Sequence, residues 1–358
     1  MRKWSRDGFA RHCDLGAPLH APPQQRSADP STPLHVHLPQ FQLQLNSAPN
    51  HIPTKSTMKS KTLRKIIAHL SPTTTSETET ENTTMPLATS TCILPPSGSN
   101  HSHTVIFLHG RGSTASALFS EFPQCVDSSG YSLAEIFPSA RWVFPSSGLR
   151  PLARWPGEVI SQWFDTWDIS RLEQREELQT EGLRESVSAV INHVVLPEVA
   201  LLGGKWERLV LAGVSQGGAT AGHVLLNLNL DQLGQEMNLN VNIAAADTQR
   251  NRIGGLMTFC SRMPFPNRAL AETRAVLGLG TAVGDEVVKN TPVLGQHCVD
   301  DPLVRIEYGR QFKEAFERFG ADVTWKEYAT GGHWIKSPEG IDDAAAWLEE
   351  CVGMERKV

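Results

Sequence analysis

The chain has 358 residues, of which 40% are hydrophobic and 20% are charged, and its formal net charge at pH 7 is −5. This balance is typical of a globular protein and excludes a fibrous or wholly disordered chain. The small negative charge predicts no nucleic-acid partner, because such partners are bound by basic surfaces. No apolar run reaches the roughly 18 to 20 residues that a membrane span needs, so no integral membrane segment is predicted.

The first 84 residues differ in composition from the rest of the chain. They hold nine of the 23 prolines, and residues 71–84 form a polar run rich in threonine and glutamate. A segment of this kind buries too little apolar surface to offset its loss of chain entropy. The composition therefore predicts a disordered extension over residues 1–84 and a globular domain over residues 85–358.

The cysteines indicate the compartment. Six are dispersed along the chain, and the two nearest to each other are 33 residues apart, so no CxxC motif exists. Free thiols are typical of reducing compartments, which predicts a cytoplasmic protein. A mitochondrial presequence is the alternative, since arginine and serine are common near the N-terminus, but the prolines there argue against it.

From residue 104 onward, short β-branched runs alternate with helical patterns. Strands are predicted at 105–108, 141–144, 209–212, 253–259, 292–296 and 323–328. Helices are predicted at 183–194, 218–228 and 308–319, and from Pro338 onward. Continuous apolar strands that alternate with helices predict an α/β fold with a mostly parallel sheet covered on both faces. Residues 229–252, rich in asparagine and glutamine, are predicted to form an inserted loop.

The motif Gly-Val-Ser-Gln-Gly at 213–217 lies where a predicted buried strand meets a predicted helix. In that setting a G-x-S-x-G motif presents a nucleophilic serine. A turn this tight leaves no room for side chains at its flanks, which explains the glycines Gly213 and Gly217. The N-terminus of the helix also favours a developing oxyanion. The pattern predicts Ser215 as a nucleophile; the alternative is a glycine-rich β–α turn without chemistry.

A serine hydroxyl needs a base, and the base needs an acidic group to orient it. The chain order expected on such a sheet is serine, acid, histidine. His333 follows the last predicted strand and is the only histidine after Asp301, so it is the predicted base. Asp301 follows the preceding strand and is the predicted acid, with Asp300 and Asp285 as alternatives.

The loop after the first predicted strand should supply part of an oxyanion hole. Residues 109–112 read His-Gly-Arg-Gly, and glycines there allow the backbone to approach the nucleophile closely. The candidate donors are the backbone N–H groups of Arg111 and Gln216. His109 is predicted to be a structural hydrogen-bonding residue of the loop rather than a catalyst.

Nothing in the sequence predicts a metal or a cofactor. His101 and His103 form a short histidine pair, but no further ligands follow at a metal-binding spacing. No glycine-rich motif of the kind that binds phosphates or dinucleotides occurs.

Five short motifs follow one another along the chain. They are His-Gly-Arg-Gly at 109–112, Trp-Phe-Asp at 163–165, Gly-Val-Ser-Gln-Gly-Gly at 213–218, Asp-Pro-Leu-Val at 301–304 and Gly-His at 332–333. In this order they resemble the acyl-protein thioesterase/carboxylesterase family of small α/β-hydrolases, and its fungal members in particular. The resemblance spans residues 100–352 apart from the insert.

The resemblance implies an α/β-hydrolase fold and a serine hydrolase that cleaves carboxylic esters or acyl thioesters, including those of S-acylated proteins, without a cofactor. It also implies a role for each matching residue. These are Ser215 as nucleophile, Asp301 as acid, His333 as base, Arg111 and Gln216 at the oxyanion hole, and Trp163 near the acyl site.

The chain also departs from the family pattern. Arg111 and Ser113 stand where the family has leucine and aspartate, and Cys298 replaces a glycine. A charged side chain at the mouth of the groove should disfavour long acyl chains. Two alternatives are a lactone hydrolase or peptidase on the same fold, and a non-catalytic binding protein, which a broken triad would indicate. Oligomeric state and acyl-chain length are not predicted.

Overall fold

The computed structural model describes residues 91–98, 100–236, 251–279 and 284–357. The predicted extension at 1–84 lies outside these residues, and so do residues 237–250 of the predicted insert.

The described strands form one large sheet and one hairpin. The strands are β1 (Cys92–Leu94), β2 (His103–Leu108), β3 (Ala140–Phe144), β4 (Leu149–Leu152), β5 (Trp155–Ser161), β6 (Leu209–Val214), β7 (Gly255–Phe259), β8 (Val293–Cys298) and β9 (Val323–Tyr328). Seven of them form the large sheet, in the order β1-β3-β2-β6-β7-β8-β9, and β1 alone runs antiparallel to its neighbour. The strands β4 and β5 pair with each other as a separate antiparallel hairpin.

Ten α-helices lie within the described residues, and none of them is both long and apolar enough to cross a membrane. The helices are α1 (Ala115–Glu121), α2 (Leu133–Ile136), α3 (Gln179–Val190), α4 (Leu196–Leu201), α5 (Gln216–Asn227), α6 (Leu230–Glu236), α7 (Leu270–Leu277), α8 (Glu286–Asn290), α9 (Ile306–Arg318) and α10 (Glu339–Trp347). Short 3-10 turns lie at Phe122–Gln124, Glu176–Leu178 and Trp206–Arg208, and π-helical turns follow α3 and α10 at Ile191–Val195 and Leu348–Val352.

Helices cover both faces of the large sheet, as predicted. Alternate residues of each parallel strand point to opposite faces, so β2 contributes Ile106 to one core and Phe107 to the other. The first core contains buried side chains of α3, α5, α7 and α9, and the second contains those of α1, α2 and α10. Strands buried on both faces are apolar throughout, which explains the continuous hydrophobic runs of β2 and β6.

All six predicted strands are present in the sheet, with ends that shift by at most two residues. The four predicted helices correspond to α3, α5, α9 and α10. The sequence patterns missed β1 and the β4–β5 hairpin. Strand β1 has only three residues, and β5 is exposed along most of its length, so neither carries the apolar signal of a buried strand.

The turn between β6 and α5 brings three backbone segments closer together than side chains would allow. A Cβ atom on Gly217 would lie 2.2 Å from the carbonyl oxygen of Leu108, at the end of β2. A Cβ atom on Gly213 would lie 2.3 Å from the carbonyl carbon of Gly217. The predicted reason for both glycines is thus confirmed: the N-terminus of α5 rests directly on the end of β2.

We expect Gly217→Ala to lower the free energy of unfolding by more than about 2 kcal/mol, because the backbone of Leu108 cannot move aside for the added methyl group. Urea denaturation at neutral pH measures this change. Gly284→Ala is the matched control, since a Cβ atom at Gly284 meets no heavy atom within 4 Å. Equal stability losses in the two variants would contradict the close packing of the turn.

Candidate active site

Ser215 lies in the turn between β6 and α5 with a strained backbone. Its φ of 55° and ψ of −122° lie in a region that non-glycine residues rarely adopt. Two hydrogen bonds hold this conformation: the Ser215 N–H donates to the carbonyl of Phe259 at 2.8 Å, and the Ser261 hydroxyl donates to the carbonyl of Ser215 at 2.8 Å. The strained turn presents the Ser215 side chain at the C-terminal edge of the sheet, as the motif predicted.

Asp301 and His333 are brought together from the loops that follow β8 and β9. The His333 Nδ1 atom lies 2.7 Å from Asp301 Oδ2. Asp301 is 5% exposed, whereas the His333 side chain keeps 17% of its surface in contact with solvent. The carboxylate is thus enclosed, and the imidazole ring stands between it and the open side of the site.

Four hydrogen-bond donors surround the Asp301 carboxylate. Its Oδ1 atom accepts the backbone N–H groups of Leu303 and Val304 at 2.8 and 2.9 Å. His297 Nε2 lies 3.3 Å from the Oδ2 atom that also faces His333. Burial by itself would raise the pKa of Asp301, but the hydrogen bonds from His297 and His333 outweigh it and hold the pKa well below its usual range. Asp301 therefore stays ionised at any physiological pH.

The two alternative acids face other partners. Asp300 accepts the backbone N–H of Gly332 at 2.8 Å, which braces the loop that carries His333 without touching the imidazole ring. Asp285 pairs with the guanidinium of Arg274 at 2.8 Å.

Ser215 and His333 line one cavity of about 230 Å³. No hydrogen bond links the two side chains among the described residues; such bonds are often long in active sites without substrate. Most of the wall is apolar or uncharged, and its charged members are Arg111 and Arg262. The other lining residues are Gly110, Ser113, Leu118, Thr166, Ile169, Leu172, Val214, Gln216, Leu303, Val304 and Trp334.

The backbone N–H groups of Arg111 and Gln216 both belong to residues that line this cavity. Within the described ranges, neither group donates a hydrogen bond to the protein. Gly110 brings the loop against the serine, since a Cβ atom there would lie 3.4 Å from Ser215 Cβ. Two unpaired N–H groups beside a serine hydroxyl are suited to bind an oxyanion.

Trp163 lies behind the loop at 109–112 and is not among the residues that line the cavity. Its indole N–H donates to the carbonyl of His109 at 2.7 Å, and its backbone N–H donates to Gln216 Oε1 at 2.8 Å. The Gln216 amide donates in turn to the carbonyl of Phe164 at 2.7 Å. Trp163 thus links the loop at 109–112 to Gln216 from behind the cavity, and its predicted role near an acyl site stays a prediction.

His109 has the structural role that the sequence predicted. Its Nδ1 atom bonds to the carbonyl of Gly110 at 2.8 Å, and its Nε2 atom accepts the N–H of Ser147 at 3.1 Å. Burial lowers the pKa of His109 to about 4, so the ring is neutral at pH 7. A neutral ring with both nitrogens engaged holds the loop in place and is unavailable as a base.

One group of possible metal ligands occurs in the described part of the chain. The ligand atoms of Cys260, Asp301 and His333 lie within 4.8 Å of one another. Each of the three already has a protein partner. Asp301 and His333 contact each other, and the Cys260 thiol donates to the carbonyl of Trp334 at 3.1 Å. A hydrogen bond with the Cys298 thiol, together with burial, also raises the pKa of Cys260. The raised pKa disfavours the thiolate that a metal requires. The three ligand atoms lie close together because Asp301 and His333 bond to each other beside Cys260.

Sequence patterns missed three further residues of the site. His297 supports Asp301, and its Nε2 atom also lies 2.7 Å from the carbonyl of Val304. Gln162, which is fully buried, accepts the Nε–H of Arg111 at 3.0 Å. Arg262, three residues after β7, lines the cavity. Gln162 and Arg262 belong to no recognisable motif, because they act through contacts between segments that are distant along the chain. His297 stands where the family has a His-Gly pair before the acid, but the pattern alone gave it no role.

A sheet of this order, with a strained serine after its central strand, an acid after β8 and a histidine after β9, defines an α/β-hydrolase. The sequence pattern of the Phospholipase/Carboxylesterase family matches residues 90–246. Acyl-protein thioesterase 1 of Gibberella zeae is 27% identical over 259 residues, which are 71% of this chain and 93% of that protein. Carboxylesterase SOBER1 of Arabidopsis thaliana is 23% identical over 211 residues, 59% of this chain and 77% of that protein.

Among solved structures, the acyl-protein thioesterase 2 of Zea mays has the same fold, with a TM-score of 0.52 at 21% identity. The match covers 74% of this chain and 99% of the maize protein. The family match and these relatives confirm the resemblance of the motifs to the acyl-protein thioesterase/carboxylesterase family.

We expect Asp301→Asn to lower kcat for ester hydrolysis by about 1,000-fold or more, because an amide cannot stabilise the protonated His333 ring. Asp300→Asn is the matched control. The asparagine Oδ1 atom can still accept the N–H of Gly332, so kcat should stay within about threefold of the wild type. Steady-state assays with p-nitrophenyl butyrate measure both. A larger loss in the Asp300 variant would assign the acid to Asp300.

Proposed function

We propose that this protein is a serine hydrolase that cleaves carboxylic esters or acyl thioesters through an acyl-enzyme intermediate. The observation that carries the proposal is the position of Ser215. Its strained backbone places the hydroxyl in the same cavity as a histidine that pairs with a buried carboxylate, beside two unpaired backbone N–H groups.

The reaction proceeds in two steps. Asp301 holds His333 through Nδ1, which leaves Nε2 to take the proton of Ser215 as its oxygen attacks the acyl carbonyl. The N–H groups of Arg111 and Gln216 bind the oxyanion, and the leaving alcohol or thiol departs with the proton from His333. Water then gives a proton to His333 and attacks the acyl-enzyme. The free acid is released, and the proton returns to Ser215.

We extend the proposal to S-acylated proteins as substrates. The relatives from Gibberella zeae and Zea mays bear the name acyl-protein thioesterase, and the apolar part of the cavity wall is suited to an acyl group.

The compartment is also a proposal. The five cysteines of the described residues are free thiols, which agrees with a reducing cytoplasm. Fluorescence microscopy of the full chain carrying a C-terminal tag tests this location, and a mitochondrial signal would overturn it.

We expect Ser215→Ala to abolish both ester turnover and covalent labelling by a fluorophosphonate, with a loss in kcat of about 10,000-fold or more. Ser120→Ala, which changes an exposed serine of α1, is the control and should be labelled like the wild type. Peptide mapping of the labelled protein identifies the modified serine. A label that persists at another serine in the Ser215 variant would reject the assignment.

The same preparation distinguishes the alternative hydrolases. We expect turnover of p-nitrophenyl esters and of acyl thioesters by the wild type, and none of peptides. A preference for lactones or peptides over both would assign the site to one of those activities instead. A wild-type protein that is neither labelled nor active would indicate a binding protein on a hydrolase fold.

We expect Arg111→Leu to shift the acyl-chain preference without impairing the chemistry. The variant keeps the backbone N–H of residue 111, so kcat/KM for acetyl esters should change little. Long acyl chains no longer need to desolvate a guanidinium, and two more buried methylenes at about 0.8 kcal/mol each raise kcat/KM about tenfold. Acetyl, octanoyl and palmitoyl thioesters measure the profile, with Arg268→Leu, an exposed arginine, as control. An unchanged profile would mean that the Arg111 side chain does not contact the acyl chain.

A further inference from the structure

Arg262 is a buried cation in the wall of the candidate active site. It lies three residues after the end of β7 and is only 6% exposed, yet it lines the same cavity as Ser215 and His333. The preceding residue, Ser261, donates to the carbonyl of Ser215, so the segment that carries the guanidinium is anchored to the serine turn.

The contacts of the Arg262 guanidinium leave its charge without a counterion. Its Nη2 atom donates to Gln179 Oε1 at 2.8 Å, and its Cζ atom lies 5.5 Å from the centre of the Phe164 ring. Both partners are uncharged. Within the part of the chain that the structure describes, no carboxylate lies within 4 Å of the guanidinium, and its Nε and Nη1 atoms have no acceptor.

The two carboxylates whose charges act on Arg262 already accept other hydrogen bonds. Burial lowers the pKa of Arg262, and Glu176 and Glu173 oppose this shift only through longer-range attraction. Glu176 accepts the backbone N–H of Phe265 at 2.7 Å, and Glu173 accepts the hydroxyl of Tyr308 at 2.9 Å. Neither is in ion-pair contact with the arginine.

Arg262 nevertheless keeps its charge at neutral pH. Burial lowers its pKa to about 10, which is still well above 7. A buried charge without a partner costs several kcal/mol, so proteins retain such a group where a ligand completes the pair. Among the described residues, the cavity wall contains two arginines and no aspartate or glutamate. Each arginine bonds to one glutamine, but Arg111 is only partly buried, so Arg262 is the buried cation of the wall.

We propose that Arg262 binds a carboxylate at the far end of the substrate's acyl group, so that the preferred substrates are esters or thioesters of dicarboxylic acids. The proposal rests on the hydrolase function proposed above and specifies its substrate class. A guanidinium presents parallel N–H groups that match the two oxygens of a carboxylate, and such charge-assisted bonds are the strongest of their kind.

The position of Arg262 favours the acyl group over the leaving group as the carrier of the carboxylate. The leaving group must reach solvent after the first step and must contact His333, whose side chain is partly exposed. The acyl group stays bound to Ser215 until water attacks, and it therefore occupies the more enclosed part of the cavity. Arg262 is almost fully buried, so a group bound by its guanidinium is itself enclosed.

The test compares matched pairs of p-nitrophenyl esters. In each pair the acyl group ends in a carboxylate or in the isosteric primary amide, and the chain runs from six to eight carbons. We expect the wild type to hydrolyse the carboxylate member with a kcat/KM about 10-fold to 100-fold higher, the range typical of a charge-assisted hydrogen bond. Equal values for the two members would overturn the proposal without the need for any variant.

Variants then assign the preference to one residue. In Arg262→Met we expect the carboxylate-to-amide ratio of kcat/KM to fall at least tenfold, and Arg262→Lys should restore part of it. Arg268→Met is the matched control, because this exposed arginine also lies over an aromatic ring but does not line the cavity. A ratio that is unchanged in Arg262→Met, with a melting temperature like that of the wild type, would overturn the role of Arg262.

Two further outcomes distinguish a failure of this proposal from a failure of the hydrolase function on which it rests. If the preference occurs only when the carboxylate is placed on the leaving group, in hexanoyl esters of 4-hydroxybenzoate against 4-hydroxybenzamide, the assignment to the acyl group is wrong. If the wild type hydrolyses no ester and Ser215 is not labelled by a fluorophosphonate, the hydrolase function itself fails. Labelling and turnover of the amide-ended esters without a carboxylate preference would reject this inference alone.

Discussion

The structure depends on the absence of side chains at two positions of one turn. Gly213 and Gly217 allow α5 to begin directly against the end of β2, with less than 3 Å between a virtual Cβ atom and the neighbouring backbone. This contact fixes the height of Ser215 above the sheet and its distance from the loop at 109–112. The strained backbone of Ser215 persists because the strands on both sides are buried and cannot relax around it.

A second layer of contacts determines where the loop at 109–112 and the start of α5 lie. Trp163 donates its indole N–H to His109 in one segment and its backbone N–H to Gln216 in the other, so one fully buried residue links both to the core. The Gln216 side chain accepts from Trp163 and donates to the carbonyl of Phe164, so both of its polar atoms are bonded to the protein. Its backbone N–H has no such partner among the described residues. Glutamine at this position is therefore explained by packing, and the chemistry comes from the peptide group.

Charge is distributed unevenly around the cavity. Asp301 is enclosed by four donors and so stays ionised, whereas Arg111 and Arg262 face the cavity without a bound carboxylate. The two arginines differ in their tethering. Arg111 bonds to Gln162 at the edge of the hairpin segment, and Arg262 bonds to Gln179 at the start of α3. A cavity of this kind suits a substrate with an apolar chain and a negative group.

The sequence by itself determined the parallel sheet, because strands buried on both faces must be apolar throughout, and that pattern is local. It also determined Ser215 and His333 as candidates, since the glycine motif and the position of the last histidine can be read along the chain. Only the tertiary structure paired His333 with Asp301 and not with Asp300, bonded Trp163 to both His109 and Gln216, and brought Arg262 into the cavity wall. Each of these contacts depends on the direction of a side chain and on the residue that a distant segment places opposite it. The periodicity or spacing of a single segment encodes neither the direction nor the opposing residue.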